Sequence, residues 1–332
     1  MSFLKLKEQY TKIMRKPIFI FSLFLFLFSC NSKQDNLIDT STVTIDFSID
    51  RFDVDFYTTN ENSLSDVKEK YPLFFPEDTP DSVWVNKIKD KDEQELFAET
   101  QGVYSNIDFI ENELEQLFKH IKYYNPTYRS PKVVTLLSNI DYDNRVIYNN
   151  EYLLISLDAY LGKNHQFYAD YPNYIKQNLH KDHLIVDVAN AIIENQFKRS
   201  NNRAFIFKMV NEGKKLYLLD SYFPLKADAE KIGYSSEKLN WAVNNEEQVW
   251  KYFIENKLLF STDTKLNQRF LELAPFSKFY RSEDNLSPGR IGAWIGWQIV
   301  RSYMNHNDVS LQKLLELPAE EIYKNSKYKP KR

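Results

Sequence analysis

The N-terminal half of the chain changes its hydrophobic periodicity several times. Apolar and polar positions alternate over residues 43–57, VTIDFSIDRFDVDFY, which predicts a half-buried strand. Residues 64–71 predict a short helix that Pro72 stops, and the proline-containing stretch after it is predicted to be a packed loop. Residues 93–124 predict two helical pieces that break near Gly102, with an apolar stripe along the second piece.

Three short apolar runs follow, at residues 132–137, 145–148 and 152–157. The polar segments between them, rich in Asp and Asn, have the composition of turns. The three runs therefore predict an antiparallel meander of strands.

Helical periodicity dominates beyond Gly162. Helices are predicted at residues 182–197, 203–219, 236–259, 264–273, 289–304, 310–317 and 318–324. Asp182 is expected to cap the first of these helices, and Ser287-Pro288 to start the one at 289–304. No repeat or linker interrupts the chain after residue 42. Residues 42–332 are therefore expected to form one α+β domain, mostly helical, with a small antiparallel sheet packed on the central helix at 182–197.

The first 29 residues have the order of an export signal, with Lys and Arg side chains before an apolar run from Ile18 to Phe28. The run is too short for a membrane span, which needs about 20 residues. It ends in Leu-Phe-Ser-Cys, which resembles the lipobox of bacterial lipoproteins. The resemblance implies that Cys30 becomes the acylated first residue of the mature protein. The polar residues 30–41 are predicted to be a flexible tether.

Composition argues against several classes of protein. The formal net charge is -3 and the charges of both signs are interspersed, so no basic surface for nucleic acid is predicted. Seven glycines in 332 residues leave little material for phosphate-binding loops, and neither GxGxxG nor GxxxxGK[ST] occurs. Cys30 is the single cysteine, so no internal disulfide can form. We expect no nucleic-acid partner and no cofactor.

A strand, a central helix and then a Glu-Gly pair on another helix resemble the active-site half of the gluzincin zinc peptidases. The segment MVNEGKKLYLL, with Glu212-Gly213, carries the resemblance to the third metal ligand of that family. The family holds zinc through HExxH, with two His one helical turn apart and a Glu that activates water. No HExxH occurs in this chain. The resemblance therefore implies a zincin-like frame without the peptidase chemistry.

His183, Asp187 and Glu212 are the nearest substitute for that zinc site. His183 and Asp187 are one helical turn apart, and the three side chains offer one nitrogen and two carboxylates. Leu184 stands where a water-activating carboxylate would follow the histidine. We take the three residues as a candidate degenerate cleft without a metal. The alternative is that each has a local structural role.

Gly289, Gly292 and Gly296 recur at helical spacing in SPGRIGAWIGWQIVRSYM. Each glycine inside a helix costs about 1 kcal/mol relative to alanine, so a close approach of another backbone is the expected compensation. Tight helix packing is one interpretation. A floor of small residues below a ligand or peptide cleft is the other.

The same stretch, with GKKLYLLDSYFP, KLNQRFLELAPFSKFY and KNSKYKPK, is similar to the gliding-motility lipoprotein GldB family of the Bacteroidetes. The similarity covers residues 42–332. It implies a lipid-anchored cell-envelope protein that supports gliding beside the machinery for adhesin export, and it supplies no reaction. We expect an outer-membrane location facing the periplasm.

Three functional hypotheses follow from these observations. The first is a non-catalytic scaffold or adaptor that binds protein partners of the gliding apparatus. The second is a metal-dependent peptidase with a rearranged site at His183, Asp187 and Glu212. The third, a solute-binding lipoprotein, is weakened because the chain lacks an alternation of strands and helices.

Overall fold

The computed structural model of the chain describes residues 38–197 and 202–331. From Thr40 onwards, the described residues belong to one compact unit. The predicted export signal, Cys30 and most of the predicted tether lie outside the described residues. Within the described part of the chain, no helix combines the length and the apolar character needed to cross a bilayer.

The sheet has four strands, β1 (Ile49–Arg51), β2 (Lys132–Leu136), β3 (Val146–Tyr148) and β4 (Tyr152–Ser156). Their order across the sheet is β1-β2-β4-β3. β1 pairs with β2 and β2 pairs with β4, both in parallel, and only β3 and β4 are antiparallel. The positions of the last three strands are confirmed, but the predicted antiparallel sheet is wrong because the sheet is mixed.

Asp158 binds the segment of chain that follows β2. Its buried carboxylate accepts hydrogen bonds from the backbone N–H groups of Ser138, at 3.1 Å, and Ile140, at 2.7 Å. Asn139 and Ile140 both adopt positive φ, 58° and 61°, so the chain turns over the end of the sheet there. β4, and not β3, pairs with β2.

The helices occupy most of the remaining chain. They are α1 (Phe52–Tyr57), α2 (Leu64–Lys70), α3 (Asp81–Lys89), α4 (Lys91–Tyr104), α5 (Asp108–Tyr124), α6 (Asn173–Lys176), α7 (Lys181–Gln196), α8 (Phe205–Tyr222), α9 (Asp228–Ile232), α10 (Ser236–Asn244), α11 (Glu246–Glu255), α12 (Lys265–Phe270), α13 (Ile291–His306), α14 (Leu311–Glu316) and α15 (Ala319–Asn325). The mostly helical α+β class is confirmed.

Two N-terminal predictions are wrong. The strand predicted over 43–57 is limited to β1, because the chain enters α1 at Phe52. Buried Asp53 lies in the first turn of α1, where its carboxylate accepts hydrogen bonds from Arg51 and Thr135. The stretch predicted as a packed loop contains α3, which Pro80 precedes at the N-cap position.

α8 and α13 cross at two glycines. A Cβ atom on Gly213 would lie 2.2 Å from the backbone carbonyl carbon of Gly296, and a Cβ on Gly296 would lie 1.8 Å from the carbonyl oxygen of Met209. The two backbones therefore touch without side chains between them. Gly292 lies close to the Phe270 carbonyl and Gly289 close to the Ala274 carbonyl.

The start of α13 differs from the prediction. Gly289 lies before the helix, because Arg290 adopts a left-handed backbone conformation, φ 58° and ψ 25°, at the N-cap position. The Ser287 hydroxyl does not cap the helix. It donates to the Asp284 carbonyl at 2.6 Å and accepts from the Ser277 N–H at 3.1 Å.

Candidate functional site

His183 and Asp187 lie one turn apart on α7, the helix that packs on both β3 and α8. Both side chains are buried, with 5% and 9% of the residue surface exposed. Nε2 of His183 is 3.6 Å from Oδ1 of Asp187. The spacing read from the sequence therefore places these two groups in contact.

Two further side chains bind the other oxygen of Asp187. Arg145 donates from Nε at 2.7 Å and Tyr160 donates from its hydroxyl at 2.8 Å. The guanidinium of Arg145 also donates to the Tyr142 carbonyl and lies over the Tyr142 ring. We refer to His183, Asp187, Arg145 and Tyr160 as the Asp187 cluster. One carboxylate oxygen of Asp187 accepts two hydrogen bonds within it, and the other lies 3.6 Å from His183.

Electrostatics in the Asp187 cluster favour an ionised acid beside a neutral imidazole. Burial raises the pKa of Asp187, but the charges of His183 and Arg145, together with hydrogen bonds from Arg145 and Tyr160, more than offset it and hold the pKa below its usual value. Burial lowers the pKa of His183, against the opposing effect of Asp187. Arg145 lowers the pKa of Asp187 both through its charge and through its hydrogen bond.

Glu212, the third residue of the predicted cleft, has different partners. It accepts from Lys215 at 3.0 Å, and its other oxygen lies 3.8 Å from Nη2 of Arg290. No hydrogen bond or ion pair joins it to His183 or Asp187. Across residues 38–197 and 202–331, no three His, Cys, Asp or Glu side chains are grouped so that they could hold a metal ion.

Gly213 has a packing role that the Glu-Gly motif alone did not reveal. It meets Gly296 where α8 crosses α13. The glycine after Glu212 is therefore required by the contact between two helices.

A pocket between α9, α10 and the segment 273–290 was not anticipated from the sequence. It encloses about 200 Å³. Its lining residues are Asn173, Tyr174, Gln177, Ile232, Gly233, Tyr234, Ser235, Lys238, Leu273, Ala274, Pro275, Pro288, Gly289 and Arg290. We call it the Arg290 pocket. The one sequence signal near it was the Ser-Pro-Gly-Arg turn, which we interpreted as a helix start.

A charge network holds the helices around this pocket. Arg301 of α13 forms two hydrogen bonds with Asp220 of α8 and two with Asp228 at the start of α9, all at 2.7–2.8 Å. Lys231 pairs with Asp220 at 2.8 Å, and the Arg301 guanidinium stacks on Trp297 at 3.8 Å. Two-pronged Arg–carboxylate bonds fix orientation as well as distance. They position α9, which leads into the pocket wall.

Comparison with known proteins gives one finding. The sequence model of a family described as gliding motility protein GldB matches residues 33–330. This chain belongs to the GldB family. Neither the curated proteins nor the solved structures gave a significant match. The resemblance to the GldB family is confirmed, and the resemblance to zinc peptidases stays a prediction.

GldB membership implies involvement in gliding motility, and the family name suggests a lipoprotein of the cell envelope. The match includes the Asp187 cluster and the Arg290 pocket. Membership names no reaction for either site. What each site does must therefore be argued from its own chemistry.

Lys214 of this GldB-family chain gives a prediction about pH. Its ammonium is buried and donates to the Leu315 and Leu317 carbonyls, both at 3.0 Å. Burial lowers its pKa from 10.5 to about 8. Between these values the unfolded chain binds a proton that the folded chain does not, so the free energy of unfolding rises with pH.

Relative to Lys214→Met, the wild type is expected to gain about 2 kcal/mol between about pH 7.5 and about pH 9.5. Urea unfolding of both proteins at both pH values measures this gain. Staying below pH 10 avoids the tyrosines, such as Tyr222, whose pKa burial raises. An unchanged difference between the two proteins would mean that Lys214 is solvated in the folded state.

Proposed function

We propose that this chain is a non-catalytic lipoprotein of the gliding machinery, anchored through Cys30 and acting as a scaffold or adaptor for protein partners. Family membership supports the process, gliding. The observation that carries the non-catalytic part is the surroundings of buried Asp187: Arg145 and Tyr160 both donate to one carboxylate oxygen, and His183 lies 3.6 Å from the other. We place the protein on the outer membrane, facing the periplasm.

The chemistry of the Asp187 cluster supports a structural role. A general base must reach the proton that it removes, and a metal ligand needs a free lone pair directed at the ion. Arg145 and Tyr160 share one carboxylate oxygen and His183 lies beside the other, in a buried place. A permanently charged guanidinium next to the acid also opposes a cation there.

In this proposal, the part of the fold that resembles zinc peptidases serves only as a structural frame. α7 lies between a small sheet and α8, which carries Glu212. In our proposal that frame holds α8 and α13 in position, and the surface they support binds a partner. The mixed polar and aromatic walls beside α10 are the surface with the most suitable chemistry for that partner.

The proposal predicts which substitutions gliding cells tolerate. In cells whose chromosomal copy carries Glu212→Gln or His183→Gln, gliding speed is expected to stay within about twofold of wild type at equal protein abundance, because neither group takes part in chemistry. Cys30→Ser is the control for loss of membrane attachment and of gliding. It is expected to release the protein from the membrane fraction and to abolish gliding.

Two results would contradict the proposal that the protein is non-catalytic. One is a Glu212→Gln protein of normal abundance in cells that no longer glide. The other is stoichiometric zinc in the purified full-length protein that disappears in His183→Gln. Either would favour the metal-dependent peptidase.

A further inference from the structure

Arg290 has a backbone conformation that its side chain makes unfavourable. Its φ of 58° lies in the left-handed region, where glycine is free of strain and residues with a Cβ atom are not. The turn is tightly packed at its neighbour, because a Cβ on Gly289 would lie 2.2 Å from the Ala274 carbonyl oxygen. Glycine at 290 would satisfy the same turn. The guanidinium is what arginine adds.

In the described part of the chain, the fold uses that guanidinium only in one long ion pair. Among the described residues its side chain forms no hydrogen bond, and its nearest acid is Glu212 at 3.8 Å. Glu212 gives its hydrogen bond to Lys215, which also pairs with Glu194. Arg290 is one of the lining residues of the pocket, and its guanidinium is a planar fork of N–H donors.

The rest of the Arg290 pocket lacks negative charge. No Asp or Glu is among its lining residues, and Asn173, Tyr174 and Gln177 supply neutral polar groups above apolar Ile232 and Leu273. A guanidinium fork matches the two oxygens of a carboxylate.

Lys238 adds charge to the pocket but no free donor. Its ammonium donates to three consecutive carbonyls, Asn285, Leu286 and Ser287, at 2.8–3.1 Å. One arginine fork and no second cation with available donors suit a singly charged carboxylate better than a phosphate dianion.

We propose that the Arg290 pocket binds a carboxylate on a short apolar stem, with Arg290 as the residue that pairs with it. The carboxylate comes from a free organic acid or from the C-terminus of a partner protein. This inference rests on the proposed adaptor function only for the second source. The volume of about 200 Å³ accommodates one terminal residue rather than a folded element.

The test uses the full-length protein in detergent and three probes. The probes are isovalerate, a hexapeptide ending in a free leucine carboxylate, and the same peptide amidated at its C-terminus. Titration calorimetry is expected to show binding of isovalerate and of the free peptide. Arg290→Gly is expected to weaken this binding about tenfold or more, because the two-pronged bond is lost.

A matched control exists on the same protein. Lys257 is also a cation at positive φ, 55°, and lies outside the pocket lining. Lys257→Gly removes the same charge and the same strain, and it is expected to bind all probes as wild type does. Arg290→Gly is expected to melt at or above the wild-type temperature, so lost binding is not lost folding.

Each outcome decides a different point. Equal binding by wild type and Arg290→Gly, or no binding of either carboxylate probe, overturns the site. If isovalerate binds and the free and amidated peptides do not differ in binding, the site is assigned to a free organic acid. Free-peptide binding together with slowed gliding of Arg290→Gly cells supports a partner's C-terminus. The proposed function is judged separately, by the Glu212→Gln and Cys30→Ser cells.

Discussion

Replacing Gly296 by alanine is expected to lower the free energy of unfolding by about 3 kcal/mol. The new Cβ would lie 1.8 Å from the carbonyl oxygen of Met209, a backbone atom that cannot rotate away. α8 and α13 would have to separate, and the apolar groups between them would lose contact. Urea unfolding of the full-length protein, followed by circular dichroism, measures the loss.

Gly102→Ala is the matched control for that substitution. Gly102 lies in α4, and a Cβ there would have no neighbour within 4 Å. Alanine is expected to raise the free energy of unfolding by about 0.5–1 kcal/mol, because it restricts the unfolded chain and suits a helix. Similar unfolding midpoints for the two variants would show that the crossing of α8 and α13 is looser than the structure indicates.

Asp187→Asn is expected to lower the free energy of unfolding by about 3–5 kcal/mol, since it leaves the Arg145 charge buried without its counterion. The asparagine amide would also direct donors at Arg145 or Tyr160, which are donors themselves. The pKa of Asp187 lies below its ordinary 3.8 in the folded state, so its contribution is present above about pH 4. It is lost as the pH falls through that lowered value. Chemical unfolding at neutral and acid pH measures both effects.

Asp170→Asn makes the same chemical change on an exposed residue. It is expected to alter the free energy of unfolding by less than about 0.5 kcal/mol. The double variant Arg145→Met with Asp187→Leu is expected to recover much of the loss, because it leaves no buried charge unpaired. Equal stabilities of Asp170→Asn and Asp187→Asn would show that the Asp187 cluster is solvated and would reopen a chemical role for it.

Local periodicity predicted most of the elements. The apolar stripe on α5, with Leu114, Leu117, Phe118 and Ile121 fully buried, was predictable because a 3.6-residue repeat fits only a helix with one face in the core. β2, β3 and β4 were predictable because short apolar runs between turn-forming segments indicate strands. α3 was missed because prolines near it suggested a loop, although proline also precedes helices.

Strand pairing was not predictable in the same way. Turn-like segments beside β3 suggested a meander, yet β2 pairs with β4, and buried Asp158 binds the chain after β2 from 20 residues away in sequence. A carboxylate with backbone N–H partners so distant leaves no periodic signal. The first predicted strand is divided into β1 and α1, and Asp53 in α1 has a similarly distant partner, Thr135 of β2.

The sequence by itself determined the helical α+β class, the positions of most helices and the contact between His183 and Asp187, because each depends on neighbours within one or two turns. Tertiary structure decided the partners. Arg145 and Tyr160 reach Asp187 from distant segments, Glu212 turns to Lys215, and Gly213 meets Gly296. These contacts join groups far apart in the chain, and their geometry exists only once the helices have packed.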